Sequence, residues 1–301
     1  MVNVIRVATA CSLLALGACG GHSSSSPATS SPAPSLVPAG SFLATASSGS
    51  GSQTGFAFNG NALSANGTDP TTQVTVGTDP STGHRTLTLN VTANNAPLYT
   101  NKFDLAMASP AVVAPFIGVL DGTTFSDGSR ANEIVVDPTL SFSSYGIWVN
   151  TTSLNMGNTG AFAVGQMTPA ANIPTTGQAV YTGSTIGALV TGGGSFVLTG
   201  NAQLTANFLL MSVSGSLSGM QAFANGTSTP WNTLTLGAAP ITAGAGGPYA
   251  GAVTSPASGS LVALSGTYNG NFFGPAANET AGTWKVTGTG TTAFGAFGAK
   301  R

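Results

Sequence analysis

The sequence predicts an all-β protein, on three observations. Short apolar runs recur along the chain and are broken about every ten residues by Gly, Asn or Pro, the pattern of short strands joined by turns. No long stretch carries the helical period in its apolar residues. Charged residues make up 5% of the chain and hydrophobic residues 42%, with a formal net charge of −1. Disorder needs low hydrophobicity and high net charge, so despite 42 glycines this composition points to a folded, buried core with a water-facing surface of Ser, Thr and Asn. The same balance leaves no basic stripe for nucleic acid and no acidic tail for a cationic partner.

Residues 1–18 carry one early cation, Arg6, followed by small and apolar residues through Leu13, Leu14 and Leu16. That run is too short for a permanent membrane helix and reads as an export signal. Leu16-Gly17-Ala18-Cys19 resembles the bacterial lipobox, which implies cleavage before Cys19 and a diacylglycerol on its thiol. Residues 19–40 are Ser, Pro, Ala and Gly without periodicity, the composition of a flexible tether. Acylation would hold the chain at a membrane through its lipid anchor. Gly20 suggests sorting to the outer membrane, with the cell surface as the expected location and the periplasmic face as the alternative. Cys11 falls in the removed segment, so the mature chain would hold no disulfide.

Residues 41–138 contain several strand candidates. Leu87, Leu89 and Val91 share one parity and Thr86, Thr88, Asn90 and Thr92 the other, the period-two signature of a half-buried strand. Asp69-Pro70 and Asp79-Pro80 bracket a short strand over 71–76. Pro110 and Pro115 make 103–119 a connecting loop or an edge. From 139 to 301 the candidates are 140–149, 161–165, 178–187, 196–206, 208–217, 231–241, 261–272, 282–286 and 292–299. Between Phe208 and Met211 the apolar parity switches, which requires a bulge or tight turn. Two stretches, 219–230 and 243–260, read as loops.

The stretch from Gly266 to Trp284 is the clearest unit. Tyr268, Gly270 and Phe272 share a parity with Val262 and Leu264, Gly274-Pro275 stops the strand, and Gly282, Trp284 and Val286 line one face of a second strand. This hairpin resembles the Gly-x-Phe-aromatic-Gly-Pro-x-Ala-x-Glu-x-Gly-Gly-x-Phe hairpin of the transferrin-binding protein B lobes. The match rests on Gly270, Phe272, Phe273, Gly274, Pro275, Ala277, Glu279 and Gly282, with Ala281 and Trp284 as departures. Factor H-binding protein and small haem-capturing surface lipoproteins share the barrel type. Residues 177–183 and 294–301 are similar to other strands of these barrels. The resemblance implies a small handle-like β-sheet domain over 41–138, followed by an eight-stranded antiparallel β-barrel over 139–301. Such a barrel is filled by side chains and presents no open edge.

Titratable chemistry is sparse. His84, in a turn, is the only His outside the signal and tether, so the residues point to no assembly of nucleophile, base and orienter. Asp121, Asp127, Glu133 and Asp137 form the one acidic cluster, but the spacing fits no EF-hand, and Asp-Gly dipeptides are ordinary turn formers. Glu279 is the only acidic residue after Asp137 and reads as a structural acceptor for turn N–H groups near Gly282. The glycine-rich Gly192-Gly193-Gly194 and Gly288-Thr289-Gly290 precede no helix and read as hairpin turns. Haem ligation by Tyr181, Tyr249 or Tyr268 has no motif behind it, and no cofactor or metal is expected. Ligand contact is expected on the two loops, with Met220, Phe223 and Tyr249 as aromatic or soft anchors.

These features predict a binding protein and not an enzyme: a surface lipoprotein that captures a ligand or carrier protein or haem. By resemblance it would supply iron or haem to an outer-membrane transporter. A non-catalytic structural or adhesive coat protein is the alternative the uncharged surface suggests.

Overall fold

A computed structural model of the chain describes residues 36–45, 47–59, 62–65, 71–93, 96–111, 114–124, 130–153 and 156–301. The expected export signal, the lipobox with Cys19, and most of the tether lie outside them. All regular structure among these residues is β, apart from three single 3-10 turns. No helix in them is long and apolar enough to cross a membrane.

The first sheet is built from β1 (Ser47–Asn59), β2 (Ala62–Ala65), β3 (Thr71–Thr78), β4 (Arg85–Ala93), β5 (Ala96–Asp104), β6 (Ser109–Pro110), β7 (Ile117–Thr124), β8 (Arg130–Val136), β9 (Ser143–Ser153) and β10 (Met156–Gly165). Its order is β5-β4-β3-β1-β10-β9-β8-β7-β6, with β2 paired only to β1. The sheet curls into a half-barrel, since Val91, Tyr99 and Phe103 from one side share a core with Ile117, Val119, Ile134 and Trp148 from the other. Val37, Phe42 and Leu43 join that core, so the end of the stretch expected to be tether is packed structure.

The second sheet comprises β11 (Gln178–Thr191), β12 (Gly194–Asn207), β13 (Ser212–Ala224), β14 (Thr227–Pro230), β15 (Leu234–Pro240), β16 (Tyr249–Ser255), β17 (Leu264–Phe273), β18 (Glu279–Gly288) and β19 (Thr291–Lys300). Neighbours run β12-β11-β19-β18-β17-β16-β15-β13, and β12 pairs again with β13, which closes an eight-stranded antiparallel barrel with β14 appended to β13. Closure gives each of the eight barrel strands a neighbour on both sides, so none of them is a free edge. The interior is packed by side chains, among them Tyr181, Leu204, Phe208, Trp231, Tyr249, Tyr268, Phe272, Trp284 and Phe297.

Two expectations are corrected here. Strands over 143–165 were assigned to the barrel, but β9 pairs with β8 and β10, and β10 pairs with β1, so both belong to the first sheet. Their apolar residues face both ways because the sheet is covered on both sides, and a two-sided strand carries no mark of which sheet it joins. The expected loop 219–230 is largely strand, since β13 runs on to Ala224 and pairs with β14, and the expected loop 243–260 contains β16, which pairs with both β15 and β17. Alternation is faint in Tyr249-Ala250-Gly251-Ala252-Val253 because Ala and Gly are small on either face.

Candidate functional site at the junction of sheet and barrel

The hairpin formed by β17 and β18 places its residues on three different surfaces. Phe272 points into the barrel, 5.7 Å from the ring of Tyr181 and 5.5 Å from those of Phe208 and Tyr249. Phe273, one residue on, faces out of the barrel into a second core shared with Phe56, Leu140, Tyr145, Ile147 and Phe294. Adjacent strand residues point to opposite faces, so two consecutive buried phenylalanines mean that the strand is covered on both. Gly274 then turns with φ +84°, a conformation that disfavours a side chain, and its N–H donates to Gln166 O at 2.9 Å. The carbonyl of Pro275 accepts from Asn172 Nδ2 at 3.0 Å. Gly270 and Gly282 pair across the hairpin, and a Cβ on Gly282 would run into the Asn269 carbonyl and the Phe297 ring.

Glu279 opens β18 and is buried. Its Oε1 accepts from the Ser141 N–H at 2.7 Å, and its Oε2 accepts from the Phe142 N–H at 3.1 Å and the Ser143 hydroxyl at 2.8 Å. These donors lie well over a hundred residues upstream, on the segment leading into β9, and not in the turn beside Gly282 as the sequence suggested. The carboxylate is thus a clamp between the barrel and the half-barrel. Burial pushes its pKa above the ordinary glutamate value, against the opposing pull of the Ser143 hydroxyl and the Ser141 and Phe142 amides.

A second polar link sits beside it. Asp137, also buried, accepts from the Thr139 N–H and hydroxyl at 2.6 Å and from the Tyr145 hydroxyl at 2.8 Å. The Tyr145 hydroxyl is also 2.6 Å from the Ser184 hydroxyl on β11. Burial and the neighbouring Asp137 carboxylate hold the Tyr145 phenol well above its usual pKa. Gly298 makes room for this ring, because a Cβ there would overlap it.

The residues expected to touch a ligand are not on a loop surface. Met220 and Tyr249 are buried inside the barrel, 1% and 2% exposed, on β13 and β16. Phe223, on β13, packs against the core between the two sheets. The Tyr249 hydroxyl is 2.5 Å from the Thr280 hydroxyl. Tyr181 donates to Ala277 O at 2.7 Å, and Tyr268 lies 3.1 Å from Val213 O and 2.6 Å from Gly237 O. Burial raises the pKa values of Tyr181 and Tyr268 to about 12. These phenols are engaged in wall and core contacts. Of the acidic cluster, Asp137 serves the junction, Glu133 lies on β8, and the Asp121 and Asp127 side chains fall outside the described residues. His84 bonds Asp104 at 2.8 Å on the open sheet. Among the described residues no group of three or more His, Cys, Asp or Glu is placed to hold a metal ion.

Residues 173–301 match the family model for the C-lobe and N-lobe β-barrels of Tf-binding protein B. With its closed eight-stranded topology, this part of the chain has the transferrin-binding protein B lobe fold. Similar solved structures include a variant of transferrin-binding protein B from Haemophilus parasuis, 12% identical over 85% of this chain and 76% of that one, with a TM-score of 0.43. Another is isotype 1 transferrin-binding protein B from serogroup B Neisseria meningitidis, 16% identical over 85% and 77%, with a TM-score of 0.42. The N-lobe of lactoferrin-binding protein B from Moraxella bovis is 14% identical over 54% and 77%, with a TM-score of 0.34. A search of curated proteins gives no match.

Proposed function

We propose that the protein is a lipoprotein anchored in the outer membrane through Cys19, exposed at the cell surface, and that it captures an iron-carrying protein for an outer-membrane transporter. The observation that carries this reading is the match of residues 173–301 to the barrels of Tf-binding protein B. The junction supports it: Glu279 and Tyr145 lock barrel and half-barrel together, so a partner would meet one preorganised surface and not two mobile ones. Binding would rest on shape, backbone and hydroxyl hydrogen bonds, because Glu279, Lys285, Lys300 and Arg301 are the only charged residues after Asp137.

The test is capture by the full chain extracted from membranes, offered transferrin, lactoferrin and haemoglobin, each with and without its iron or haem. Retention of one of them, reversed by excess soluble competitor, is the expected result. Retention of none, together with normal growth of a deletion strain on scarce iron, contradicts the reading and favours an adhesive or coat role.

A further inference from the structure

Five of the six large hydrophobic side chains exposed among the described residues lie at one end of the molecule: Leu36, Met107, Val180, Leu209 and Leu210, at 40%, 69%, 50%, 69% and 71% exposure. Strand register defines that end. Glu279 pairs with Lys300 and Lys300 with Thr182, while Gln178, at the start of the same strand, pairs with Asn207, so the hairpin 208–211 sits on the barrel rim that carries Glu279. The bonds from Ser141 and Phe142 to Glu279 bring the start of β9 to this rim, and the Phe42 N–H donates to Leu140 O at 2.8 Å, bringing the entering chain there too. Ser143 pairs with Gly165, Gly165 with Ser50, Ser47 with Val76, and Asp104 with Thr86. Hence the turn holding Met107, just after β5, belongs to the same end. Met156, on the β9–β10 hairpin, lies at the other.

The leucine tip is rigidly mounted. Phe208 is buried against Phe272 and its N–H donates to Gly177 O at 2.9 Å, while Met211, at φ +48°, accepts from the Ile241 N–H at 2.8 Å. Between these anchors Leu209 and Leu210 point outward side by side. Isolated exposed leucines are ordinary, but a fixed adjacent pair on a rim with three further apolar side chains is not. The neighbouring hairpins 207–212 and 240–249 hold no charged residue, so nothing in them resists entry into a headgroup layer, and Lys300 and Arg301 add positive charge to the barrel side of the rim, which suits anionic lipid.

We propose that this end rests against the lipid bilayer, with Leu209 and Leu210 immersed in its interface and the opposite end held outward. The proposal rests on the Cys19 anchor. Residues 20–35 span at most about 55 Å even fully extended, and they enter the fold at this same end, so the anchor holds the leucine tip within reach of the bilayer.

The test uses the acylated full-length product in vesicles of phosphatidylethanolamine and phosphatidylglycerol, with an environment-sensitive dye on Leu210→Cys and, as control, on Ser228→Cys at the opposite rim. The dye at position 210 should be blue-shifted, quenched by lipids brominated in their acyl chains and shielded from aqueous iodide, whereas the dye at 228 should respond to iodide alone. Equal iodide quenching at both positions in a membrane-retained protein overturns the proposal by itself. Loss of the protein from the vesicles, with an N-terminal peptide mass lacking acyl groups, overturns the anchor reading and the proposal with it.

Discussion

The barrel and the half-barrel are both antiparallel sheets of similar strand number, yet they solve the edge problem differently. Pairing of β12 with β13 leaves the barrel no edge to protect, and its strands carry few charges. The half-barrel stays open, and its β5 edge carries both ion pairs found among the described residues, Lys102–Asp79 at 2.6 Å and His84–Asp104 at 2.8 Å. On its other edge Pro110 sits in β6, where a missing N–H does no harm. Charge and proline thus mark the edge that could recruit another strand. The interiors differ as well. In the barrel the Trp284 indole N–H donates to Thr185 at 3.0 Å, and the Ser195 hydroxyl on β12 is the buried side-chain group left without a partner among the described residues. In the half-barrel the Gln53 amide, the Thr72 hydroxyl and the Trp148 indole N–H are buried with no partner among the described residues. Among the described residues, unpartnered buried polar groups are thus more numerous in the half-barrel than in the barrel.

This contrast can be broken most severely from within the barrel. Trp284→Ala removes a fully buried indole and its bond to Thr185, and should lower stability by about 3–5 kcal/mol in urea unfolding. A loss below about 1 kcal/mol would mean the barrel interior is not the tightly packed element described. At the junction, Glu279→Ala leaves the Ser141 and Phe142 amides without their acceptor, and a loss of about 2–4 kcal/mol is expected, with one unfolding transition splitting into two as sheet and barrel uncouple.

Glu279→Gln should be milder and should also change the pH response. Because the folded-state pKa of Glu279 is raised by burial, the folded protein holds this proton more tightly than the unfolded chain. Its contribution to stability is therefore greatest below the unfolded value of about 4.3 and declines as pH rises through the folded pKa. Denaturation midpoints measured across that window should fall with rising pH less steeply in the Gln variant than in the wild type.

In the half-barrel the expected sign reverses. Gln53→Leu removes a buried amide that has no partner and should be neutral or stabilising by about 1 kcal/mol in the same urea assay. At the edge, Lys102→Ala should change thermal stability by less than about 1 kcal/mol, since the pair it breaks is largely exposed.

The sequence showed the barrel better than the half-barrel for a physical reason. Alternation in 264–273 and 279–288 is carried by large residues such as Tyr268, Phe272, Trp284 and Val286, so both strands and their inward faces could be read directly. Where small residues fill both faces, as in β16, the same periodicity leaves no trace. The sequence pattern marks β9 and β10 as strands but not the sheet they join, because partner choice depends on contacts far away in the chain. The role of Glu279 was half legible: a lone acidic residue in an uncharged region had to be accepting hydrogen bonds, but its donors on 141–143 could not be found from local spacing. Met220 and Tyr249 are buried because β13 and β16 are strands that point them into the barrel, which the weak alternation around them does not reveal.

Amide hydrogen exchange of the native protein tests the central contrast most directly. The account predicts that amides of the closing seam, from Val197 paired with Phe223 to Asn207 paired with Ser212, are protected as strongly as those between β17 and β18, while the outward amides of β5 exchange far faster. Seam amides that exchange as fast as that open edge would contradict closure of the barrel and the reading built upon it.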